Sequence, residues 1–227
     1  MRLVQLTSTL FVLLLAGASA NATLLLHASL DNAQEGVAGV FPTTISGAPR
    51  PASFGEATFE LDDTETHLSM VVTVFNIDIT GTQTTDPNDN LLAAHIHVGA
   101  LPGTTAPVRW GFFGAPDNDN NPDQLVVVPF AGAVGGTFSS IWDQPEGNAA
   151  TTLTTNLPDI LAGLAYINFH TVQFAAGEIR GQIVRVSEPS TALLLSLVLV
   201  MAAAARQRRN ASMMAARPGA TGRTGST

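Results

Sequence analysis

Apolar and polar residues alternate in short runs between Ala22 and Val186. Side chains on a β-strand point to opposite faces in turn, so this alternation predicts strands that each have one buried face. Gly, Pro, Asn and Asp cluster between the runs and predict turns and loops. The predicted strands lie at residues 22–30, 53–61, 67–78, within 91–103, and at 107–113, 125–130, 166–171 and 178–186.

The glycine-rich segment Gly132–Gly147 is assigned no strand, and Phe138, Ile141 and Trp142 are its expected packing anchors. A short helix is predicted to begin at Asn156, which can cap it, with Pro158 in the first turn and an end at Gly163. Many short strands and one short helix predict an all-β fold. The expected form is an antiparallel β-sandwich or barrel, immunoglobulin-like or superoxide-dismutase-like.

The N-terminus has the features of a secretory signal peptide. Met1 and Arg2 supply a positive charge, Leu6–Leu15 is an apolar core, and Ala18 and Ala20 form a small-residue cleavage site. Because these features occur in this order, residues 1–20 are predicted to be removed on export. The mature chain is then expected to begin at Asn21, the alternative being a buried N-terminal helix.

Composition narrows the possible partners. The chain has 227 residues and no cysteine, so an exported domain would depend on its hydrophobic core. Between Asn21 and Val186 there are 17 acidic and four basic residues, which gives a formal net charge of −13. Nucleic-acid binding requires basic residues that neutralise phosphates, so no nucleic-acid partner is expected. The charge fits an extracellular protein or one that holds cations.

The predicted hairpin of residues 166–171 and 178–186, with a turn at Ala175–Gly177, carries the most chemistry. Its polar residues share one face and its Ile and Phe residues share the other. An earlier strand presents two histidines in the same way. The expected polar set consists of His95, His97, Asn168, His170, Glu178, Arg180 and Gln182, with Tyr166 beside them.

These stretches resemble the CHRD domain, which was first described in chordin and is common in bacterial secreted proteins. The resemblance rests on Ala94–His97 followed by Gly99, Ala100 and Gly103, then on Tyr166–Thr171 and Gly177–Gln182. It covers Thr23 to Val186, and Glu35 loosely matches the acidic residue near the start of the family's domain. The resemblance implies an exported module with a binding or structural role, and extracellular polysaccharide or matrix proteins as partners.

After Val186 the composition changes abruptly. The apolar run Ala192–Ala205 is shorter than the ~20 residues of an ordinary membrane span, although with its flanks it could cross a thin bilayer. It lies between a short motif and a basic cluster. The residues of the motif are Glu188, Pro189 and Ser190, and those of the cluster are Arg206, Arg208 and Arg209.

This order of motif, helix and arginines in residues 187–209 resembles the PEP-CTERM sorting signal of Gram-negative bacteria. The resemblance implies an exosortase-type membrane protease as a partner. The expected protein is tethered to the inner membrane by its C-terminal helix, with a cytoplasmic C-terminus, and later reaches the cell surface or the medium. Residues 210–227 contain few core-forming side chains and are expected to be a disordered tail.

The histidines have two interpretations. His95 and His97 lie two residues apart on one strand, ~7 Å apart at Cα, and with His170 they could bind one Zn²⁺ or Cu²⁺ ion. Copper–zinc superoxide dismutase also has such a strand on an antiparallel barrel, so a metal-binding redox protein is the alternative function. In the other interpretation, Asn168, Glu178, Arg180 and Gln182 satisfy the histidines in a polar network. That network needs no cofactor, and none is expected.

Two further groups of residues are candidates for binding. Glu178 and Arg180 could clamp an anion or a substrate, and a structural ion pair is the alternative. In that alternative Arg180 pairs with Glu178 or Asp159, because a buried arginine without a partner is costly. Alternating oxygen ligands, as at the start of calcium-binding loops, occur at Asp117, Asp119, Asn121 and Asp123. Pro122 and Val128 depart from the EF-hand pattern, so a solvated turn is the alternative. No catalytic motif is present, and the domain is not expected to be an enzyme.

Overall fold

The computed structural model describes residues 23–35, 41–120, 125–186 and 198–206. The chain divides into two units, Met1–Arg185 and Val186–Thr227. The described part of the first unit contains nine strands, one α-helix and two 3₁₀ helices. The strands are β1 Leu24–Asp31, β2 Phe54–Leu61, β3 His67–Phe75, β4 Leu91–Val98, β5 Val108–Phe113, β6 Val126–Pro129, β7 Gly135–Asp143, β8 Ala165–Thr171 and β9 Ile179–Arg185. The helices are α1 Leu153–Leu161 and the 3₁₀ helices Ala33–Glu35 and Pro87–Asp89.

The strands form one antiparallel sheet in the order β5-β4-β8-β9-β1-β2-β3-β7-β6. Trp110 of β5 and Trp142 of β7 lie near opposite ends of this order, yet their rings stack with centroids 5.5 Å apart. The sheet must therefore curl until its two ends face each other across a single core. The predicted all-β, antiparallel and barrel-like fold is confirmed.

The hydrophobic core is formed by alternate residues of the strands, most regularly in β2 and β3. In β2 every second residue is buried, and in β3 the residues between the buried ones are half-buried or exposed. Phe59 and Met70 face each other across these two strands and are almost fully buried. Burying such side chains stabilises a domain by ~1.5–3 kcal/mol each, which a chain without disulfides requires.

The outer edge of β5 is covered by the chain that follows it. The backbone amides of Asn118 and Asp119 donate to the carbonyl oxygen of Gly111, at 2.8 and 3.2 Å. A Cβ atom on Gly111 would overlap the carbonyl oxygen of Pro116. Glycine at this position is what allows the loop to lie directly on the strand.

The glycine-rich segment contains a strand that the sequence pattern did not predict, because β7 spans most of it and pairs with both β3 and β6. A Cβ atom on Gly136 would come within 2.5 Å of the Val128 carbonyl oxygen, so glycine serves close packing here rather than a turn. The expected anchors Phe138 and Trp142 are fully buried, whereas Ile141 is only half-buried.

The predicted cap of the helix was also wrong. Helix α1 begins at Leu153, and the Thr152 hydroxyl caps it by accepting from the backbone amide of Thr155. The Thr155 hydroxyl accepts from the Thr152 amide in return, which completes a capping box. Asn156 and Pro158 consequently lie inside the helix.

The predicted targeting segments fall mostly outside the described residues. These are the signal peptide with Ala18 and Ala20, the tail 210–227, and Glu188, Pro189, Ser190, Arg208 and Arg209 of the sorting motif. Residues 198–206, which include Arg206, are helical. In the part of the chain that the structure describes, no helix is both long enough and apolar enough to span a membrane.

Candidate metal centre

Three neighbouring strands carry the polar face that the sequence predicted. The register places His95 opposite Asn168 and His97 opposite Tyr166 across β4 and β8. Across β8 and β9 it places Asn168 opposite Arg180 and Tyr166 opposite Gln182. Every residue of β8 is buried, so this polar face is covered and is not an exposed surface.

The three histidines converge. His95, His97 and His170 are 4%, 8% and 9% exposed, and each offers a ring nitrogen within 4.8 Å of those of the other two. The closest pair is His95 Nδ1 and His170 Nε2, at 3.2 Å. No other group of three or more His, Cys, Asp or Glu residues in the described ranges converges in this way.

The remaining ring nitrogens each face a backbone carbonyl oxygen. His95 Nε2 lies 3.1 Å from the Ala115 oxygen, and His170 Nδ1 lies 3.1 Å from the Ala175 oxygen. His97 Nδ1 lies 2.8 Å from the Ala106 oxygen. A carbonyl oxygen only accepts, so these three nitrogens carry the protons. In the neutral rings, His95 Nδ1, His97 Nε2 and His170 Nε2 are therefore bare lone pairs.

Burial keeps these rings neutral. It lowers the pKa of His95 to about 4, and the neighbouring histidines add to this effect. Burial likewise lowers the pKa of His97 to about 4, against the opposing hydrogen bond to Ala106, and it lowers the pKa of His170. His97 Nε2 is buried and has no hydrogen-bond partner among the described residues. At neutral pH the three imidazoles are thus uncharged, which is the form of histidine that binds metal ions.

Comparison with known proteins gives one match. Residues 26–183, more than half of the chain, match the family model of the CHRD domain. The chain belongs to the CHRD family. No curated protein and no solved structure matches the chain.

Arg180 of the CHRD domain is paired differently from the prediction. Its Nε lies 3.6 Å from Glu35 Oε2, and its Nη atoms donate to the carbonyl oxygens of Thr104 and Glu35 at 2.8 Å. The guanidinium lies 4.5 Å from the ring centroid of Tyr166. The predicted partners Glu178 and Asp159 do not pair with it. In the sequence, Glu35 was indicated by its loose match to the acidic residue near the start of the family's domain.

Glu178 faces the opposite side of the sheet from Arg180. It precedes the regular part of β9, and its fully buried carboxylate accepts from Arg50 Nη2 at 2.6 Å and from the hydroxyls of Thr171 and Ser53. Alternation predicted the wrong face because Glu178 lies between the turn at residues 175–176 and the start of β9, outside the regular strand. Nothing in the local pattern indicated Arg50, whose partner is 128 residues away.

The remaining polar residues of the CHRD domain bond outside the cluster. Gln182 Nε2 donates to the carbonyl oxygens of Gly163 and Ala100, at 2.6 and 3.3 Å. Asn168 lies beside Glu35. Burial raises the pKa of Glu35, against the lowering effects of the neighbouring Arg180 and Asn168. Neither side chain bonds to a histidine.

The predicted calcium loop is only partly described. Asn121 and Asp123 lie outside the described residues. Asp119 is buried and accepts from the Ser140 hydroxyl at 2.5 Å, and Asp117 accepts from the Asp119 amide at 3.2 Å. These contacts hold the loop against β7.

Proposed function

We propose that this CHRD domain binds one transition-metal ion, Zn²⁺ or copper, through His95, His97 and His170. The observation that supports this proposal is the convergence of three buried imidazole lone pairs whose opposite nitrogens are each held by a backbone carbonyl. Histidine ligands commonly have such partners, which fix the tautomer and the orientation of the ring.

The spacing of the nitrogens fits coordination better than hydrogen bonding. Two lone pairs 3.2 Å apart repel each other, since neither nitrogen carries a proton in this arrangement. If both nitrogens bound one metal ion at a Zn–N distance of about 2.05 Å, the N–metal–N angle would be about 100°, which is close to the tetrahedral value. His97 Nε2 would complete a set of three ligands, and one coordination position would remain for another donor.

The competing interpretation is a polar network without metal, and among the described residues none of its side chains supplies a hydrogen-bond donor to these lone pairs. The side chains expected to supply them are committed elsewhere, because Arg180 bonds to Glu35 and Thr104, and Gln182 bonds to Gly163. Glu178 bonds to Arg50, on the other side of the sheet. A bound ion would satisfy the three nitrogens at once.

Elemental analysis of the protein purified without a histidine tag tests the proposal. We expect about one Zn or Cu ion per chain, and loss of that ion in His97→Ala. His27→Ala is the matched control, because His27 has a 41% exposed side chain that bonds to Glu56, outside the cluster. A metal-free parent that also binds neither ion on titration would contradict the proposal. Copper in the parent, with a redox response, would favour the redox protein.

In this proposal the domain acts by binding and not by catalysis, in an exported protein of a Gram-negative cell envelope. The supporting features are the apolar N-terminal segment ending at Ala20, and the motif, apolar run and arginines of residues 187–209. An exosortase-type protease would act near Glu188 and release or anchor the domain. Extracellular polysaccharide or matrix proteins are the partners that this location offers.

A further inference from the structure

The ligands of the proposed metal centre are all uncharged. In the described ranges the converging group consists of His95, His97 and His170, and no carboxylate joins it. An imidazole binds a metal ion in its neutral form, so the three ligands together bring no charge. A metal ion held by them alone keeps its full positive charge. Which ion the site prefers therefore depends on how well the surrounding protein tolerates that charge.

Burial makes a second positive charge costly at this site. All three histidines are buried, and the proposed ligand atom His97 Nε2 has almost no accessible surface. The cost of moving an ion from water into a protein interior grows with the square of its charge, so a dication costs about four times as much as a monocation of similar size. Burial thus favours an ion of charge +1.

A permanent positive charge lies one aromatic ring away from the ligand His97. The Tyr166 ring stacks on His97, and the guanidinium carbon of Arg180 lies 4.5 Å from the centroid of the same Tyr166 ring. His97 and Arg180 reach the tyrosine from the two strands that flank β8. Arginine stays protonated, and this one is only 3% exposed, so solvent screens its charge little.

The charge of Arg180 acts on the ligand. Burial is the main cause that lowers the pKa of His97, and Arg180 lowers it further. Coulomb repulsion is proportional to the charge of the bound ion, so Arg180 opposes a dication about twice as strongly as a monocation. Glu35, the partner of Arg180, does not reverse this effect. When it is ionised it neutralises Arg180, and when it is protonated it leaves Arg180 uncompensated, so the pair never contributes net negative charge.

We propose that the site holds copper as Cu⁺, in preference to Zn²⁺ and Cu²⁺, an inference that rests on the proposed metal centre. Cu⁺ brings the single charge that a buried set of neutral ligands tolerates, and imidazole nitrogens are suitable copper ligands. Zn²⁺ requires an anion such as hydroxide at its remaining position to offset its second charge. Among the described residues, no carboxylate joins the histidines to supply one. The domain thus binds copper in its reduced state.

Anaerobic competition titrations of the full, metal-free chain at pH 7 test this preference. Bicinchoninate competes for Cu⁺, and a chromophoric zinc chelator competes for Zn²⁺. We expect Cu⁺ to bind about tenfold more tightly than Zn²⁺, or more. We also expect bound copper to have a higher reduction potential than the aqueous ion, because tighter binding of Cu⁺ than of Cu²⁺ raises it.

The failure of this inference is distinguishable from the failure of the metal centre. Zn²⁺ binding as tightly as Cu⁺, or a reduction potential no higher than that of aqueous copper, would overturn the preference for Cu⁺ and leave the metal centre standing. A parent protein that binds neither ion would overturn both.

The double variant Arg180→Met/Glu35→Gln tests the cause of the preference. It removes the positive charge together with its partner, so neither group is left as an unpaired buried charge. We expect the affinity for Zn²⁺ to rise relative to that for Cu⁺, because a dication gains about twice as much from the loss of a like charge. A structural defect alone would weaken both ions equally, and an unchanged ratio of the two affinities would overturn the proposal.

Arg185→Gln is the matched control. Arg185 is an exposed arginine on β9 whose Nε donates to the Leu161 carbonyl oxygen, outside the histidine cluster. This substitution removes a positive charge from the same strand and should leave both affinities and the reduction potential unchanged. A shift as large as that of the double variant would overturn the proposal by showing a general effect of net charge. If the double variant does not fold, the affinities and the reduction potential of the parent decide.

Discussion

His97 stacks face to face on Tyr166, with ring centroids 4.6 Å apart and ring planes 9° apart. The Tyr166 hydroxyl accepts from the backbone amide of Ala106, whose carbonyl oxygen in turn accepts from His97 Nδ1. One tyrosine thus fixes both the plane of the imidazole and the position of its backbone acceptor. The direction of the His97 Nε2 lone pair is set by this contact.

Tyr166→Leu should therefore weaken metal binding while all three ligands remain. Removing an orienting partner typically costs 10–100-fold in metal affinity. Tyr166→Phe, which keeps the ring and loses only the hydroxyl, should have a smaller effect. Competition titration with a chromophoric chelator measures both affinities. Equal affinities for the parent and Tyr166→Leu would mean that the stack does not orient His97.

Arg180→Ala and His170→Ala should both destabilise the domain. Removing Arg180 leaves the Glu35 carboxylate buried without its cation, and breaking a buried pair costs ~3–5 kcal/mol. His170→Ala removes the partner of the Ala175 carbonyl oxygen, for ~1–3 kcal/mol. Urea unfolding at pH 7 in the presence of a chelator measures both. Unfolding of either variant at the same urea concentration as the parent would contradict this account of the buried polar face.

Gly177→Ala should destabilise the domain more than its backbone angle alone requires. Gly177 has φ 131°, and a Cβ atom there would lie 2.5 Å from Glu35 Oε1 and 2.7 Å from Asn168 Nδ2. Gly132→Ala is the control, because Gly132 has φ 77° and a Cβ atom there would meet nothing within 4 Å. The control should lose ~1–2 kcal/mol from strain. A loss in Gly177→Ala no larger than in the control would show that Glu35 moves aside freely.

Stability should fall as the pH falls from about 6.5 towards 4. The pKa values of His95 and His97 are lowered to about 4 in the fold, so the unfolded chain binds protons first. The stability that these two neutral histidines contribute is fully present above their pKa in the unfolded chain. It is lost as the pH falls through their lower pKa in the folded protein. Each titrating histidine contributes up to about 1.4 kcal/mol per pH unit in this window.

Denaturant titrations at pH 7 and pH 5 measure this dependence in the metal-free protein. The double variant His95→Gln/His97→Gln should lose less stability than the parent between these two values. The same drop in both proteins would assign the pH dependence to other groups. Bound metal should steepen the dependence in the parent, since protons compete for the ligand nitrogens.

Deleting Leu193–Arg209 should leave the domain folded and soluble in the periplasm, because the proposed sorting segment is not part of the domain. The described contacts within Met1–Arg185 form a compact unit without it. Fractionation and circular dichroism measure the effect of the deletion. An unfolded domain would contradict the assignment of this segment as a sorting signal.

The mature exported protein should begin at Asn21, because a small-residue cleavage site at Ala18 and Ala20 follows the apolar N-terminal segment. N-terminal sequencing of the exported protein measures this. A mature protein that retains Met1 would contradict the assignment of a signal peptide.

The sequence predicted eight of the nine strands because their alternation is local. It missed β7, where glycines are required by neighbours such as Val74 and Ile79 that are distant along the chain. It placed His95, His97 and His170 on one face and favoured a polar network without a cofactor over a metal site. That choice depends on the carbonyl oxygens of Ala106, Ala115 and Ala175, whose positions are set by loops.

The ion pairs were the least predictable feature. Arg180 with Glu35 and Arg50 with Glu178 each join residues more than a hundred positions apart, and only the sheet order brings them together. Alternation favoured a pairing of Glu178 with Arg180 because both lie on one strand pattern. Glu178 lies before the regular strand begins, so strand alternation does not fix its face.

The loop that covers β5 limits how copies of this protein could assemble. Strand-by-strand growth of a fibre needs two open edges on each molecule, one to donate and one to receive. The Gly111 carbonyl oxygen is already occupied by Asn118 and Asp119, so β5 cannot accept another chain there. β6 lies at the opposite end of the sheet, and pairing through that edge would join two copies and then stop. The described part of the sheet thus permits pairing of two copies through β6 but disfavours the growth of a fibre.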